Sequence, residues 1–250
     1  MDANLDRRSA LTAMALAGAA ASINAMAQTP APAPAGSAPS ATPLPPAFAG
    51  NPTLKPLAFD PAKLDGLSEK LIRSHWENNY GGSVRTLVAV RKQLAEAMAS
   101  KDTPAWLYND IKREHLLRTG SVVLHEYYFD NLGGNGQAGA STRKALGDAF
   151  GSYGAWENEF RRIANGLGGG SGWVVLGFNT HTRQLENYWM ADHAHGPAAT
   201  LPLLVMDMYE HSYQMDFGAA AARYIDAFFK NIQWDTVAAR IEKAQKVASA

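Results

Sequence analysis

Apolar residues recur every three to four positions through residues 61–99, where Leu64, Leu67 and Leu71 lead a stripe that also carries His75. That period predicts an amphipathic helix, because 3.6 residues per turn puts such positions on one face. Gly81-Gly82 interrupts it and predicts a weak point or kink, since glycine gives up the most backbone freedom on entering a helix. The pattern resumes at Leu87, Val88 and Leu94, and Asp102-Thr103-Pro104 predicts a turn. Residues 105–132 read as a second long helix with Ser121, His125, Phe129 and Leu132 on one face, closed by the run NLGGNGQAG. Two long helices joined by a short turn pack antiparallel. His75 and His125 are therefore expected to face each other across one interface.

The period then changes. Residues 141–166 predict two further helices broken near Gly151–Gly154. GSGWVVLGFN (170–179) and LENYWMADH (185–193) read as strands of an antiparallel meander, and TLPLLVMD as a third strand. AAAARYIDAFFKNI and TVAARIEKAQKVAS follow as amphipathic helices. Helices, then strands, then helices imply an α+β fold.

Composition bounds the function. Of 250 residues, 46% are apolar, enough for a real core, and Lys+Arg balances Asp+Glu at 23 each. That neutrality argues against a general nucleic-acid partner, which would be strongly basic. There is no cysteine, so disulfides, thiolate metal sites and cysteine nucleophiles are excluded. Any metal must sit on His, Asp or Glu.

The first 27 residues have a charged start, an Ala/Leu/Met-rich middle and Ala-Met-Ala before Gln28. They predict an export signal, too short and too weakly apolar to span a membrane. Arg7-Arg8 before SALTAMALAG resembles a twin-arginine signal. The expected location is the periplasm, with no stable membrane insertion once the signal is removed. Residues 28–55 are rich in Pro and Ala and predict a disordered linker. A helical-hairpin domain is expected over 56–135 and a C-terminal α/β domain over 136–250.

His75 and His125 each interrupt an apolar face, and Asp207 with His211 follows the apolar run LPLLVM. Polar groups placed this way cost free energy unless they are partnered. Three imidazoles and one carboxylate suit a first-row metal and leave room for a solvent ligand. The same residues also fit hydrogen-bonded core positions, and Asp207 with His211 fits an i,i+4 helix pair. Spacing alone leaves these alternatives open. His193 and His195 fit either a second metal pair or a plain loop, His115 an exposed helix position and His181 a turn. GLGGGSG (166–172) leads into a strand rather than a helix, the wrong context for cradling phosphate. No Gly-x-Ser-x-Gly elbow is present.

The segments LIRSHWENNYGGSV, SVVLHEYYFDNLGG, GSGWVVLGFN, ADHAH and DMYEHSY occur in the order seen in iron/manganese superoxide dismutases. The chain resembles that family over roughly residues 53–245. The resemblance implies an N-terminal antiparallel helical hairpin followed by an α/β domain with a three-stranded antiparallel sheet. It implies superoxide as substrate and one Fe or Mn ion per subunit on His75, His125, Asp207 and His211. It puts His193 where a hydrogen-bond donor tunes the metal-bound solvent, and Trp173 where a ring walls the site. It also implies a homodimer joined through Glu210 and His211. A positive funnel would speed arrival of an anion, and Arg85 is the candidate for it.

The chain departs from the family pattern at several positions. Asn79 and Ser83 stand where a gateway His and Tyr are usual, and Tyr80 is the candidate to substitute in part. Tyr209, Val175 and Gln214 replace a Trp, a Trp and a Tyr. The metal ligands are all present, while the proton relay is altered. Two readings follow: a working superoxide dismutase, or an Fe/Mn-binding relative with weak or lost dismutation.

Overall fold

The structure is a computed structural model that describes residues 45–248. The segment expected to be an export signal, residues 1–27, lies outside the described residues, as does most of the Pro/Ala-rich stretch. A single helical turn, α1 (Pro46–Ala49), opens the described part. The linker expected through residue 55 is not free of contacts at its end. The Trp76 indole donates to the Lys55 carbonyl at 2.8 Å and the Lys55 amide donates to the Tyr80 hydroxyl at 3.1 Å. Composition could not register this tie, because it depends on which side chains of the hairpin lie beneath.

The hairpin begins with α2 (Glu69–Ser74), capped by Ser68, whose hydroxyl accepts from the Leu71 amide at 3.1 Å. The chain then widens into a π-helical segment, His75–Tyr80, and returns to α-helix in α3 (Gly81–Ala99). The irregularity expected at Gly81-Gly82 thus falls one turn earlier, and the glycines themselves continue the helix. Packing overrides glycine's weak propensity here, since Gly81 is buried between elements. Val84 and Leu87 of α3 join Val122, Leu124, Tyr128 and Phe129 of α4 (Ala105–Asp130) in the core, and Val90 and Leu94 are buried further along α3.

Helix α5 (Ala140–Phe150) ends at Gly151, whose φ of +85° is accessible to glycine at no steric cost. Ser152 then caps α6 (Tyr153–Leu167) by accepting from the Ala155 amide at 2.9 Å. Three strands follow, β1 (Trp173–Asn179), β2 (Gln184–Met190) and β3 (Thr200–Asp207), paired antiparallel in the order β2-β1-β3. Central β1 is buried almost throughout, as an internal strand covered on both faces must be. Its first residue, Trp173, lies opposite Met190 on one side and Asp207 on the other. The register therefore brings one end of every strand to the same place. A short helix α7 (Gln214–Phe217) leads to α8 (Ala221–Lys230) and α9 (Trp234–Ala248).

The hairpin and the sheet share one hydrophobic core, running from Leu71 and Ile72 through Tyr128 to Val205 and Phe228. Asn131, fully buried just past α4, joins them directly. Its side-chain nitrogen donates to Val205 O at 3.0 Å and its oxygen accepts from the Val205 amide at 3.1 Å. This side chain acts as a further ladder rung on β3, and it fixes the helix that carries His125 to the strand that ends in Asp207.

Candidate metal centre

Each of the four expected ligands sits on a different kind of support. His75 opens the π-helical segment, His125 lies late in α4, Asp207 ends β3, and His211 lies in a 3-10 turn over Glu210–Ser212. The i,i+4 helix pair considered for Asp207 and His211 does not form, because the strand ends between them. Three imidazole nitrogens converge on one carboxylate oxygen, Asp207 Oδ2. His75 Nε2 is 3.1 Å away, His211 Nε2 3.2 Å and His125 Nε2 3.6 Å. The four donor atoms lie within 4.8 Å of one another. Two ligands bound to one ion at roughly 2 Å, at right angles or wider, are about 2.8–4 Å apart, so the three separations from Asp207 Oδ2 fit a common ion.

The local sequence holds the carboxylate ready. The Tyr209 amide donates to Asp207 Oδ1 at 2.8 Å, which leaves Oδ2 to the histidines. The Tyr224 hydroxyl donates to the Asp207 carbonyl at 2.7 Å, and Ser212 Oγ lies 3.0 Å from the same carbonyl. His125 Nδ1 donates to the Ser121 carbonyl one turn back at 2.7 Å, so its proton sits on Nδ1 and Nε2 is a bare lone pair. That Nε2 is buried with no hydrogen-bond partner. An orphaned acceptor of this kind is costly in a dry interior. A metal ion is the partner that fits it, given three imidazoles and one carboxylate around the same point.

Electrostatics supports the same state. Burial drives the His125 pKa down to about 3, helped by neighbouring His75. Burial lowers His75 as well, against the pull of Asp207. Burial pushes the Asp207 carboxyl up, but the charge and hydrogen bonds of His211 and His75 outweigh it and hold it well below the usual carboxylate range. His75 and His125 are thus neutral beside an ionised Asp207, the protonation state that metal binding requires of them.

A cavity of about 360 Å³ opens above this set, and His125, His193, Tyr209 and His211 form part of its wall. The Trp173 indole donates to His193 Nδ1 at 3.0 Å. Neutral His193 therefore carries its proton on Nε2 and presents a donor there. Its ring stacks on Tyr209 at 4.7 Å, and Tyr209 in turn stacks on His211 at 5.2 Å. His195 is exposed and bonds to Asp192 at 3.1 Å, so His193 and His195 make no metal pair.

Two expected roles find no support in the geometry. Tyr80 is buried and stacks near His125, but its hydroxyl donates to Glu126 Oε1 at 3.0 Å and accepts from the Lys55 amide, and Tyr80 does not line the cavity. Arg85 is exposed and its guanidinium folds back toward Gly81 and Gly82. The arginine on the cavity wall is Arg118, and Ser83 and Ser121 stand there too. Helical spacing carried the signal for two of these. Arg118 and Ser121 precede His125 by seven and four residues, which places them on its face of α4.

Comparisons with known proteins agree with this geometry. Residues 138–240 match the model for iron/manganese superoxide dismutases, C-terminal domain. The chain is 49% identical over 191 residues to the superoxide dismutase [Fe] of Cupriavidus metallidurans, covering 76% of this chain and 96% of that protein. It is 35% identical over 197 residues to the superoxide dismutase [Fe] of Aquifex pyrophilus, covering 76% and 91%. It is 30% identical over 199 residues to the superoxide dismutase [Mn] of Haloarcula marismortui, covering 78% and 95%.

Proposed function

The chain belongs to the iron/manganese superoxide dismutase family, and from that premise we propose that it dismutates superoxide at one Fe or Mn ion per subunit. The carrying observation is the bare, buried Nε2 of His125 aimed at the point where His75, His211 and Asp207 also converge. An ion held there supplies one-electron redox chemistry: one superoxide is oxidised to oxygen and a second is reduced and leaves, with two protons, as hydrogen peroxide.

The chain's own residues do the rest. His75 and His125 stay neutral and Asp207 stays ionised, so these ligands need not shed protons to hold a cation. Trp173 fixes the tautomer of His193 and so keeps a hydrogen-bond donor beside the metal set, the kind of group that tunes bound solvent. Arg118 adds a cation to the cavity wall and favours entry of an anion.

The test is to purify the full chain, measure bound iron and manganese, and follow superoxide loss with each metal restored. About one ion per chain and rapid loss are expected. Stoichiometric metal without superoxide loss would favour the second reading, a metal-binding relative with weak or lost dismutation. The short side chains of Asn79 and Ser83 on the cavity wall are what that reading rests on.

The assembly and location belong to the same proposal. A homodimer joined through Glu210 and His211 is supported by Glu210 being exposed and by the His211 side chain being 26% exposed where the other three ligands are at most 1%. Light scattering on wild type and Glu210→Ala tests it, with a shift toward monomer expected. Periplasmic export by the twin-arginine route is supported by Arg7-Arg8. Cell fractionation of an Arg7→Lys, Arg8→Lys variant tests it, with retention in the cytoplasm expected. No helix among the described residues is long and apolar enough to cross a membrane.

A further inference from the structure

The polar groups on the cavity wall are mostly committed. Thr86 Oγ1 donates to the Gly82 carbonyl at 2.9 Å, Arg118 Nε to Glu114 at 2.6 Å, and His193 Nδ1 accepts from Trp173. Two hydroxyls are not accounted for in this way. Ser83 on α3 and Ser121 on α4 are both buried, both line the cavity, and lie 2.8 Å apart across the hairpin interface.

Two hydroxyls own two protons, and the bond between them uses one. The only further polar contact of the pair is Ser121 Oγ to His125 Nδ1 at 3.3 Å. That nitrogen already donates to the Ser121 carbonyl, so it cannot accept a proton from the hydroxyl. Among the described residues the second proton has no acceptor, and the cavity is the one space open to it. Asn79 is also uncommitted on the wall, but an amide N–H holds its proton, whereas a hydroxyl can pass one on and regain one.

We propose that Ser83 and Ser121 act as a coupled hydroxyl pair that donates a hydrogen bond, and then a proton, to small anions held in the cavity above the metal set. The assignment rests on the dismutase reading for its proton-transfer step. There, the Ser83 O–H bond breaks as an O–H bond forms on the reduced oxygen species. Ser121 or cavity water returns a proton to Ser83, and bulk water replaces that one. No electron passes through either serine.

The experiment uses the full chain loaded with metal, as wild type, Ser83→Ala, Ser83→Thr and Ser121→Ala. Metal per chain is expected to be equal in all four. Loss of a general acid costs about 10²-fold or more in turnover, so saturating turnover of Ser83→Ala should fall by about that factor, with Ser83→Thr restoring it. The rate at low superoxide should change by less than about twofold, because entry does not use the proton. Azide, read by optical titration, serves as an anion probe that involves no turnover. A lost hydrogen bond to an anion is worth about tenfold or more in affinity, so azide should bind Ser83→Ala that much more weakly and Ser83→Thr normally. Ser83→Ala with wild-type turnover and azide affinity would show the pair to be purely structural and overturn the proposal. Wild type with full metal and no superoxide loss would overturn the dismutase reading instead, and the azide titration would still decide whether the pair donates to anions.

Discussion

The floor and the wall of the cavity are built on opposite terms. The floor is Asp207 with three histidines, largely buried and interlocked, where Oδ2 alone has three imidazole nitrogens within 3.6 Å. The wall is short and polar, made of Asn79, Ser83, Ser121 and Arg118, with space in front of it. On the floor each group is fixed by the others, because an unpaired charge or donor in a desolvated place is costly. On the wall water can replace a lost partner, so a substitution there is expected to change rates before it changes stability. This difference explains how a chain can keep every ligand while departing from its family at the gateway positions.

Removing the floor's charge should give the largest effect. Asp207→Ala leaves His75 Nε2 and His211 Nε2 without the acceptor they share, at about 1–3 kcal/mol for each unsatisfied group. Metal analysis should find the ion lost, and denaturant unfolding should find the stability loss. A variant that kept both its metal and its stability would remove the distinction between floor and wall.

The seam between the two regions should come next. Gly120 on α4 meets the loop of His193, and a Cβ there would lie 1.8 Å from the His193 carbonyl oxygen. Gly120→Ala must push helix and loop apart, at about 1–3 kcal/mol for an overpacked contact. Thermal unfolding should show that loss with metal content unchanged, because Gly120 touches no ligand. Loss of metal along with it would mean that the wall is mechanically part of the floor.

A smaller effect is expected at Tyr80, which stacks near His125 but sends its hydroxyl the other way. Tyr80→Phe keeps the ring and loses the bonds to Glu126 and the Lys55 amide, at about 1 kcal/mol. Turnover should hold within about twofold. A drop of tenfold or more in turnover would return Tyr80 to the proton path.

The gentlest probe is pH on metal-free protein. His125 falls from an ordinary value of 6.5 to about 3 in the folded state. Between those values the unfolded chain binds a proton that the folded chain refuses, so stability rises with pH across that window. It should be fully present above pH 6.5 and decline steadily on acidification toward pH 3. Urea midpoints across that range check the slope, and His125→Gln should reduce it, with His75 and Asp207 supplying the remainder.

Much of this was legible in the chain. The face Ser121, His125, Phe129 announced α4 and its histidine. Leu64 and Leu67 of the first stripe fall before α2, so the helix leading to His75 starts at Glu69 rather than at residue 61. The alternation of strand and turn gave the three-stranded sheet. The π-helical widening at His75–Tyr80 was not legible, because hydrophobic spacing does not distinguish 3.6 residues per turn from a slightly wider turn over six residues. The docking of Lys55 on Trp76 and Tyr80 was hidden for a similar reason, as a Pro/Ala-rich run carries no period to read. Arg118 shares a helical face with His125 and lines the cavity, while Arg85, the expected candidate, does not line it.

The sequence by itself determined the residue types, their faces and their order, because side-chain direction follows from helical and strand periods that are local. It therefore put forward the four ligands and the α+β order of elements. Only the tertiary structure decided that these ligands meet, since the meeting depends on Asn131 tying α4 to β3 and on Trp173 standing opposite Asp207 in the sheet. It alone also decided which hydroxyls face the cavity. Tyr80 and Ser83 are three residues apart on one helical run, and only packing against Glu126 and Ser121 turns one away from the cavity and the other toward it.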